Sequence, residues 1–209
     1  MAVDFLELIS SPDAAYGEGL RFFRGTGMLN EAIKKLAKDL EREGIDYVAI
    51  GAIALNRHGY RRFTEDIDLL LTVEGLERFH ERLVGLGYRP AFQGARKKFR
   101  SSDNNIPIEI ITAGEYPGDG LPKPVVFPEP HDVAVDIEGV KTISLEKLIE
   151  LKLASGISAP HRLKDLADVQ ELVKIKHLDA SYAENLDESV RAKFIELADA
   201  VAAAGDEPN

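Results

Sequence analysis

Two aspartates, Asp66 and Asp68, stand one residue apart in the run Asp-Ile-Asp-Leu-Leu-Leu that ends at Leu71. On an extended strand successive side chains point to opposite faces, so the two carboxylates share one face while Ile67, Leu69 and Leu71 share the other. Two like charges beside a core are unfavourable unless a cation sits between them, and hard divalent ions such as Mg²⁺ prefer oxygen ligands. The pair is therefore a candidate metal site. Upstream, the apolar run from Tyr47 to Ile50 breaks at Gly51 and Ala52. That is the pattern of a strand entering a helix, whose free N–H groups and dipole favour phosphate. The absence of a Cβ at Gly51 lets such a group come close. Arg61, Arg62 and Thr64 lie between this turn and the acidic pair. An arginine there can take phosphate through two parallel N–H bonds, and the other arginine is expected to face solvent.

The elements that must position these groups follow from periodicity. Residues 3–9 suggest a short helix, and residues 10–27 carry no clear period. Asn30 is a suitable N-cap for a helix ending near Glu43, with Ile33, Leu36, Ala37 and Leu40 on one face. Strands are expected at Tyr47–Ile50 and around Asp66 and Asp68, with the turn and helix Gly51–Gly59 between them. A helix over Gly75–Leu86, stopped by Gly87, leads to strands at Tyr88–Gln93, Lys97–Ser101 and Ile106–Thr112. In the last of these, Ile106, Ile108 and Ile110 alternate with Pro107, Glu109 and Ile111, which sets Glu109 among apolar neighbours. Residues 113–130 are rich in Gly and Pro and read as an irregular loop and candidate boundary. A strand at Val133–Ile137 follows, then a helix capped by Ser144 and ending at a glycine, and further helices at His161–Ile175 and Asp187–Ala204. Residues 205–209 are expected to fray.

Composition bounds the rest. The chain has 209 residues, 44% hydrophobic and 30% charged, as in an ordinary globular protein. With no cysteine, disulfides, thiolate zinc sites and a cysteine nucleophile are excluded, and a reducing cytoplasm fits. The first residues mix acidic and apolar types without a basic leader, unlike a secretory signal. No apolar run is long enough to span a bilayer, so no membrane partner is expected. A net charge of −10 opposes broad nonspecific binding to nucleic acid.

Ile50-Gly51-Ala52, a spacer, and then Asp66-Ile67-Asp68-Leu69 resemble the signature of the nucleotidyltransferase superfamily. Arg62–Asp68 and the later LEKLIELKLASG and HRLKDLADV are similar to the minimal nucleotidyltransferases, a group that includes the abortive-infection toxins of type IV toxin–antitoxin systems. The resemblance covers roughly residues 30–175. It implies an α/β (α+β) nucleotidyltransferase fold, a small mixed sheet with flanking helices and a helical C-terminal region. The implied layout is an N-terminal extension (1–29), a catalytic domain (30–138), a helical region (139–204) and a tail (205–209). It also implies transfer of a nucleoside monophosphate from an NTP to a hydroxyl acceptor, with Mg²⁺ or Mn²⁺ held by Asp66, Asp68 and Glu109. Glu109 would further take the acceptor proton. Gly51, Ala52, Arg62, Thr64 and Lys152 are the implied nucleotide contacts. The family has Gly or Ser where this chain has Ala52, which removes a hydroxyl donor and keeps the backbone amides.

Other residues admit plainer readings. Lys152 is equally readable as a surface lysine whose stem covers apolar area. For Arg162, Lys164, Asp165 and Asp168, intrahelical pairs such as Lys164 with Asp168 are the stronger reading. Arg96, Lys97, Lys98 and Arg100 around Phe99 suit a polynucleotide, but a charged edge strand explains them better. The five histidines show no ligand spacing. The acceptor is expected to be RNA or tRNA, as for a toxin with a cognate antitoxin, or a small molecule. The rivals are a noncatalytic descendant that binds a nucleotide or a partner protein, and a purely structural scaffold.

Overall fold

In the computed structural model, which describes residues 3–205, the chain enters as three helices, α1 (Phe5–Ile9), α2 (Pro12–Phe23) and α3 (Met28–Arg42). Asp4 accepts the N–H of Leu6 at 3.0 Å and starts α1. The stretch without a visible period contains α2. Its Glu18 is fully buried and accepts the Met28 N–H at 2.6 Å, satisfying a free donor at the start of α3. This start lies two residues before the expected N-cap. Asn30 is instead a buried residue within α3, its Nδ2 donating to the carbonyls of Phe22 and Thr26 at 2.9 Å each.

The strands and remaining helices are β1 (Tyr47–Ala49), α4 (Gly51–Arg57), β2 (Ile67–Leu71), α5 (Val73–Arg82), β3 (Tyr88–Pro90), β4 (Lys98–Ser101), β5 (Pro107–Thr112), α6 (Pro130–Val133), β6 (Ala134–Ile137), β7 (Val140–Ile143), α7 (Leu145–Ser158), α8 (Leu163–Lys176) and α9 (Glu188–Gly205). They build one mixed sheet in the order β3-β4-β5-β2-β1-β7-β6. β2 runs antiparallel to β1 and parallel to β5, and β1 runs parallel to β7. The fold class is the expected mixed α/β one, with helices on both faces of the sheet.

Several boundaries move for identifiable reasons. α5 starts two residues earlier than expected, where the Thr72 hydroxyl accepts the Gly75 N–H at 2.7 Å, and stops at Arg82, leaving Leu86 exposed. β7 was not apparent from the pattern. It is four residues long, joined to β6 by the pair Glu138-Gly139, both at positive φ as a tight hairpin requires. Gly156 does not end α7. A Cβ there would lie 2.6 Å from Leu166 Cγ, so the glycine is what lets α7 and α8 approach. The expected tail lies, beyond Gly205 at the end of α9, outside the described residues.

Alternation along the strands divides the interior into two apolar clusters. Tyr47, Ala49, Ile67, Leu69, Leu71, Ile108 and Ile110 pack with α1, α2, α3 and α5. Val48, Leu70 and Ile143 turn the other way and pack with α7, α8 and α9. Phe5, Phe22 and Leu29 belong to the first cluster, so the N-terminal helices share the core of the sheet.

Candidate active site

Because Ile67, Leu69 and Leu71 are buried under the N-terminal helices, Asp68 must project toward the C-terminal ones. Asp66 occupies the bend just before β2 rather than the strand itself. Asp68 is in register with Glu109 on the parallel neighbour β5, and the burial of Ile108 and Ile110 on the far side puts Glu109 on the same face as Asp68. The Asp68 carboxyl is pushed up to about 7, first by burial and then by the charges of Asp66 and Glu109, against weaker opposition from Lys152 and Lys164. Among the described residues no hydrogen-bond donor reaches it. Asp66 accepts the Thr64 hydroxyl, and Glu109 lies 3.5 Å from Lys98 Nζ.

The glycine turn is tied to this carboxylate. The Ile50 N–H donates to the Asp68 carbonyl at 3.0 Å, extending the β1–β2 ladder by one residue and holding Gly51 beside Asp68. Gly51 has φ +60°, and a Cβ built there would overlap the carboxylate, 2.9 Å from Asp68 Cγ. Both its backbone conformation and the space taken by Asp68 exclude a side chain.

A cavity of about 420 Å³ opens over these groups, lined by Gly51, Ala52, Arg62, Phe63, Thr64, Glu65, Asp66, Asp68, Lys152, Arg162, Lys164 and Asp165. It brings together seven of the eight expected site residues. Glu109 joins through its register with Asp68 and is not among the lining groups. Phe63 and Glu65 were not anticipated in this wall, where the path of the chain between α4 and β2 brings them, and Arg162, Lys164 and Asp165, read as residues of helical ion pairs, reach it at the start of α8.

The opposite wall departs from both plain readings. Lys152 is a buried residue, its Nζ bonded to Asp165 at 2.9 Å and to Asp168 at 2.7 Å. Asp168 also accepts from Arg62 Nη1 at 2.6 Å, and Asp165 from Ser155 Oγ at 2.7 Å and Arg162 Nε at 2.8 Å. Burial would raise the Asp165 carboxyl, but Lys152, Ser155 and Arg162 outweigh it and hold the group below the usual carboxylate range. The expected Lys164–Asp168 pair does not form among the described residues. α7 lies close against α8, so Asp168 turns inward to Lys152, while Lys164 stays exposed at the cavity.

The other candidates are accounted for locally. Arg96 pairs with Glu77, Lys97 with Glu115 and Lys98 with Glu109, while Arg100 donates to the Asn105 carbonyl. His58 is buried against the Ile143 carbonyl at 2.8 Å, and His80 meets the Arg96 carbonyl at 2.8 Å.

Asp66 and Asp68 offer hard oxygen donors, and among the described residues no hydrogen-bond donor reaches Asp68, so this pair suits a hard divalent cation. Among the described residues no group of three or more His, Cys, Asp or Glu side chains is placed to hold a metal ion, so Glu109 does not complete a three-carboxylate site with Asp66 and Asp68. Glu109 is the one engaged elsewhere, by Lys98.

No protein-family model and no curated protein matches the chain. Solved structures do. An antigenic nucleotidyltransferase-like protein from Paracoccidioides brasiliensis aligns at 16% identity and TM-score 0.50, over 83% of this chain and 90% of that one. ANT(2″)-Ia, in complex with adenylyl-2″-tobramycin, aligns at 17% identity and TM-score 0.47, over 78% and 97%. JHP933 from Helicobacter pylori aligns at 18% and TM-score 0.44, over 84% and 92%. The first of these likenesses shows the nucleotidyltransferase fold.

Proposed function

We propose that the chain is a nucleotidyltransferase dependent on Mg²⁺ or Mn²⁺, which moves a nucleoside monophosphate from an NTP to a hydroxyl acceptor. One observation carries this reading. Asp68, with two acidic neighbours and no donor among the described residues, lies over a glycine whose Cβ it excludes, in a cavity whose far wall is cationic. A binding surface alone would not need a crowded, unanswered carboxylate.

Asp66 and Asp68 would hold the cation, with Glu109 in register beside Asp68. Such an ion, when bound, polarises phosphoryl oxygens and stabilises charge on the attacking and leaving oxygens. Thr64 fixes the Asp66 carboxylate through its hydroxyl. The missing Cβ at Gly51 makes room for Asp68 rather than for phosphate, and Gly51 and Ala52 would meet a triphosphate as part of the cavity wall. Arg62 and Lys164 neutralise its charge from the cavity wall. Lys152 acts through Asp168, which it shares with Arg62, and so positions that guanidinium. Glu109, once drawn from Lys98, takes the acceptor proton.

Transfer to RNA or tRNA by a cytoplasmic toxin with a cognate antitoxin is what the resemblance implies for the acceptor. The pairing of Arg96, Lys97 and Lys98 with carboxylates, in a chain of net charge −10, supports a small-molecule acceptor instead. Label from α-phosphate-labelled NTPs, offered with Mg²⁺ or Mn²⁺ to RNA and to small hydroxyl compounds, tests both classes. Asp66→Asn should lower transfer about 1,000-fold, since a bound ion supplies several kcal/mol to the transition state. Glu109→Gln should lose transfer and keep nucleotide binding. Normal transfer by Asp66→Asn would remove the metal assignment, and nucleotide binding without transfer to any acceptor would establish the noncatalytic reading.

A further inference from the structure

A second cavity, of about 400 Å³, lies on the other side of the segment that carries Arg62, with Arg24, Arg57 and Arg61 in its wall beside Phe22 and Phe23. Among the described residues its one lining carboxylate is Glu138. In a chain of net charge −10 this convergence of three guanidiniums is a local inversion of charge.

Arg57 is the informative member. Its side chain is only 7% exposed, Nη1 donates to the Ile137 carbonyl, and Glu138 lies at 3.6 Å. Its Nε is buried and, among the described residues, has no hydrogen-bond partner. Burial lowers the pKa of the guanidinium, so the fold disfavours the charge it keeps there. Fixing the Ile137 carbonyl accounts for one nitrogen and not for the burial of the rest. Arg24 and Arg61 are exposed residues, and among the described residues neither pairs with a carboxylate. The side chain of Glu138 is 72% exposed, which leaves its charge largely to solvent.

We infer that this second cavity binds the phosphate monoester of a small molecule. The exposed guanidiniums of Arg24 and Arg61 offer planar forks suited to a phosphate dianion, Arg57 adds its positive charge from the buried floor, and the two phenylalanine rings offer apolar surface to the carbon skeleton attached to it. A volume of about 400 Å³ holds a sugar phosphate and does not form the extended basic groove that a polynucleotide backbone follows. Arg61 and Arg62 are consecutive and face the two cavities, and the Asn56 side chain between them accepts the Arg62 N–H at 3.2 Å. A phosphate held by Arg61 therefore lies next to the transfer cavity and can anchor an acceptor. As an acceptor subsite it rests on the transferase reading. As an anion site it stands without it.

Calorimetric titration of the full chain with ribose 5-phosphate, against ribose and inorganic phosphate, tests the inference. Saturable binding of ribose 5-phosphate at one site is expected, weaker binding of phosphate, and none of ribose. Arg61→Glu and Arg24→Glu, both at exposed positions that should fold, are each expected to weaken binding by about tenfold or more, the scale of one lost charge-assisted contact. NTP binding should be unchanged in both. No saturation by about 10 mM, far weaker than any specific charge-assisted site, would overturn the inference. So would undiminished affinity in both variants, or an RNA oligonucleotide that binds and is not displaced by ribose 5-phosphate. Label transfer is read separately. Its absence with phosphate binding intact removes the transferase reading and leaves the anion site standing.

Discussion

Lys152 and Asp68 both project charge into the space between the sheet and the C-terminal helices, yet the protein answers only one of them. Lys152 meets two carboxylates within 3 Å, and those carboxylates are completed by Arg62, Ser155 and Arg162. Asp68 meets two further acids and, among the described residues, no donor. Buried charge is tolerable when paired and hydrogen-bonded, and is costly otherwise. The paired cluster is therefore architecture, locking α7 to α8 and orienting Arg62. Asp68, which no donor among the described residues answers, works against stability.

If that division is right, the two clusters respond to mutation with opposite signs. The largest effect is expected for Lys152→Ala, which leaves Asp165 and Asp168 buried with less to oppose them. Chemical denaturation should show a loss of about 3–5 kcal/mol, as for other broken buried pairs. A loss below about 1 kcal/mol, the range of surface pairs, would break the comparison.

Asp68→Asn should do the reverse. The folded-state pKa is raised, so the native protein binds the proton more tightly than the unfolded chain. Stability is then full below the ordinary carboxylate pKa and falls as pH rises through about 7. Removing the charge should leave stability near pH 4 unchanged and raise it at pH 8, by on the order of a few kcal/mol. Melting curves across that range check the sign. Added Mg²⁺ should stabilise the parent more at pH 8 than at pH 6 and the variant at neither. An equal response from both proteins would place the ion elsewhere.

A smaller effect tests the link between turn and carboxylate. Gly51→Ala puts a Cβ into the space of Asp68 at a left-handed residue, which costs about 1–2 kcal/mol from the backbone alone. In the Asp68→Ala background that penalty should shrink to the backbone part, as a double-mutant cycle would show. Strict additivity would mean that the two residues do not compete for one space.

Much of the arrangement of the acidic residues was legible from local pattern. Alternation across Ile67, Asp68 and Leu69, and across Ile108, Glu109 and Ile110, settles which side chains share a face, because a strand has a two-residue period. A glycine after an apolar run, as at Gly51, marks a turn. The Ser144 cap was equally visible, its hydroxyl accepting the Lys147 N–H at 3.4 Å. Gly156 shows the limit of such reasoning. A glycine at the end of a helical pattern reads as a stop, whereas here it is a contact surface for Leu166 on another helix.

The sequence by itself determined the acidic pair and the turn beside it, since each depends on residues close along the chain, whereas the face that Asp68 shares with Glu109 was decided by the parallel pairing of β2 with β5. It could not decide the fate of Lys152, Asp165 and Asp168, which looked like a surface lysine and a helix with its own ion pairs. Nor could it show three arginines from residues 24, 57 and 61 around one cavity. Those depend on how closely α7 meets α8 and how α2 and α3 cover the sheet. Distances of that kind are set by packing between elements far apart in sequence, where local periodicity carries no information.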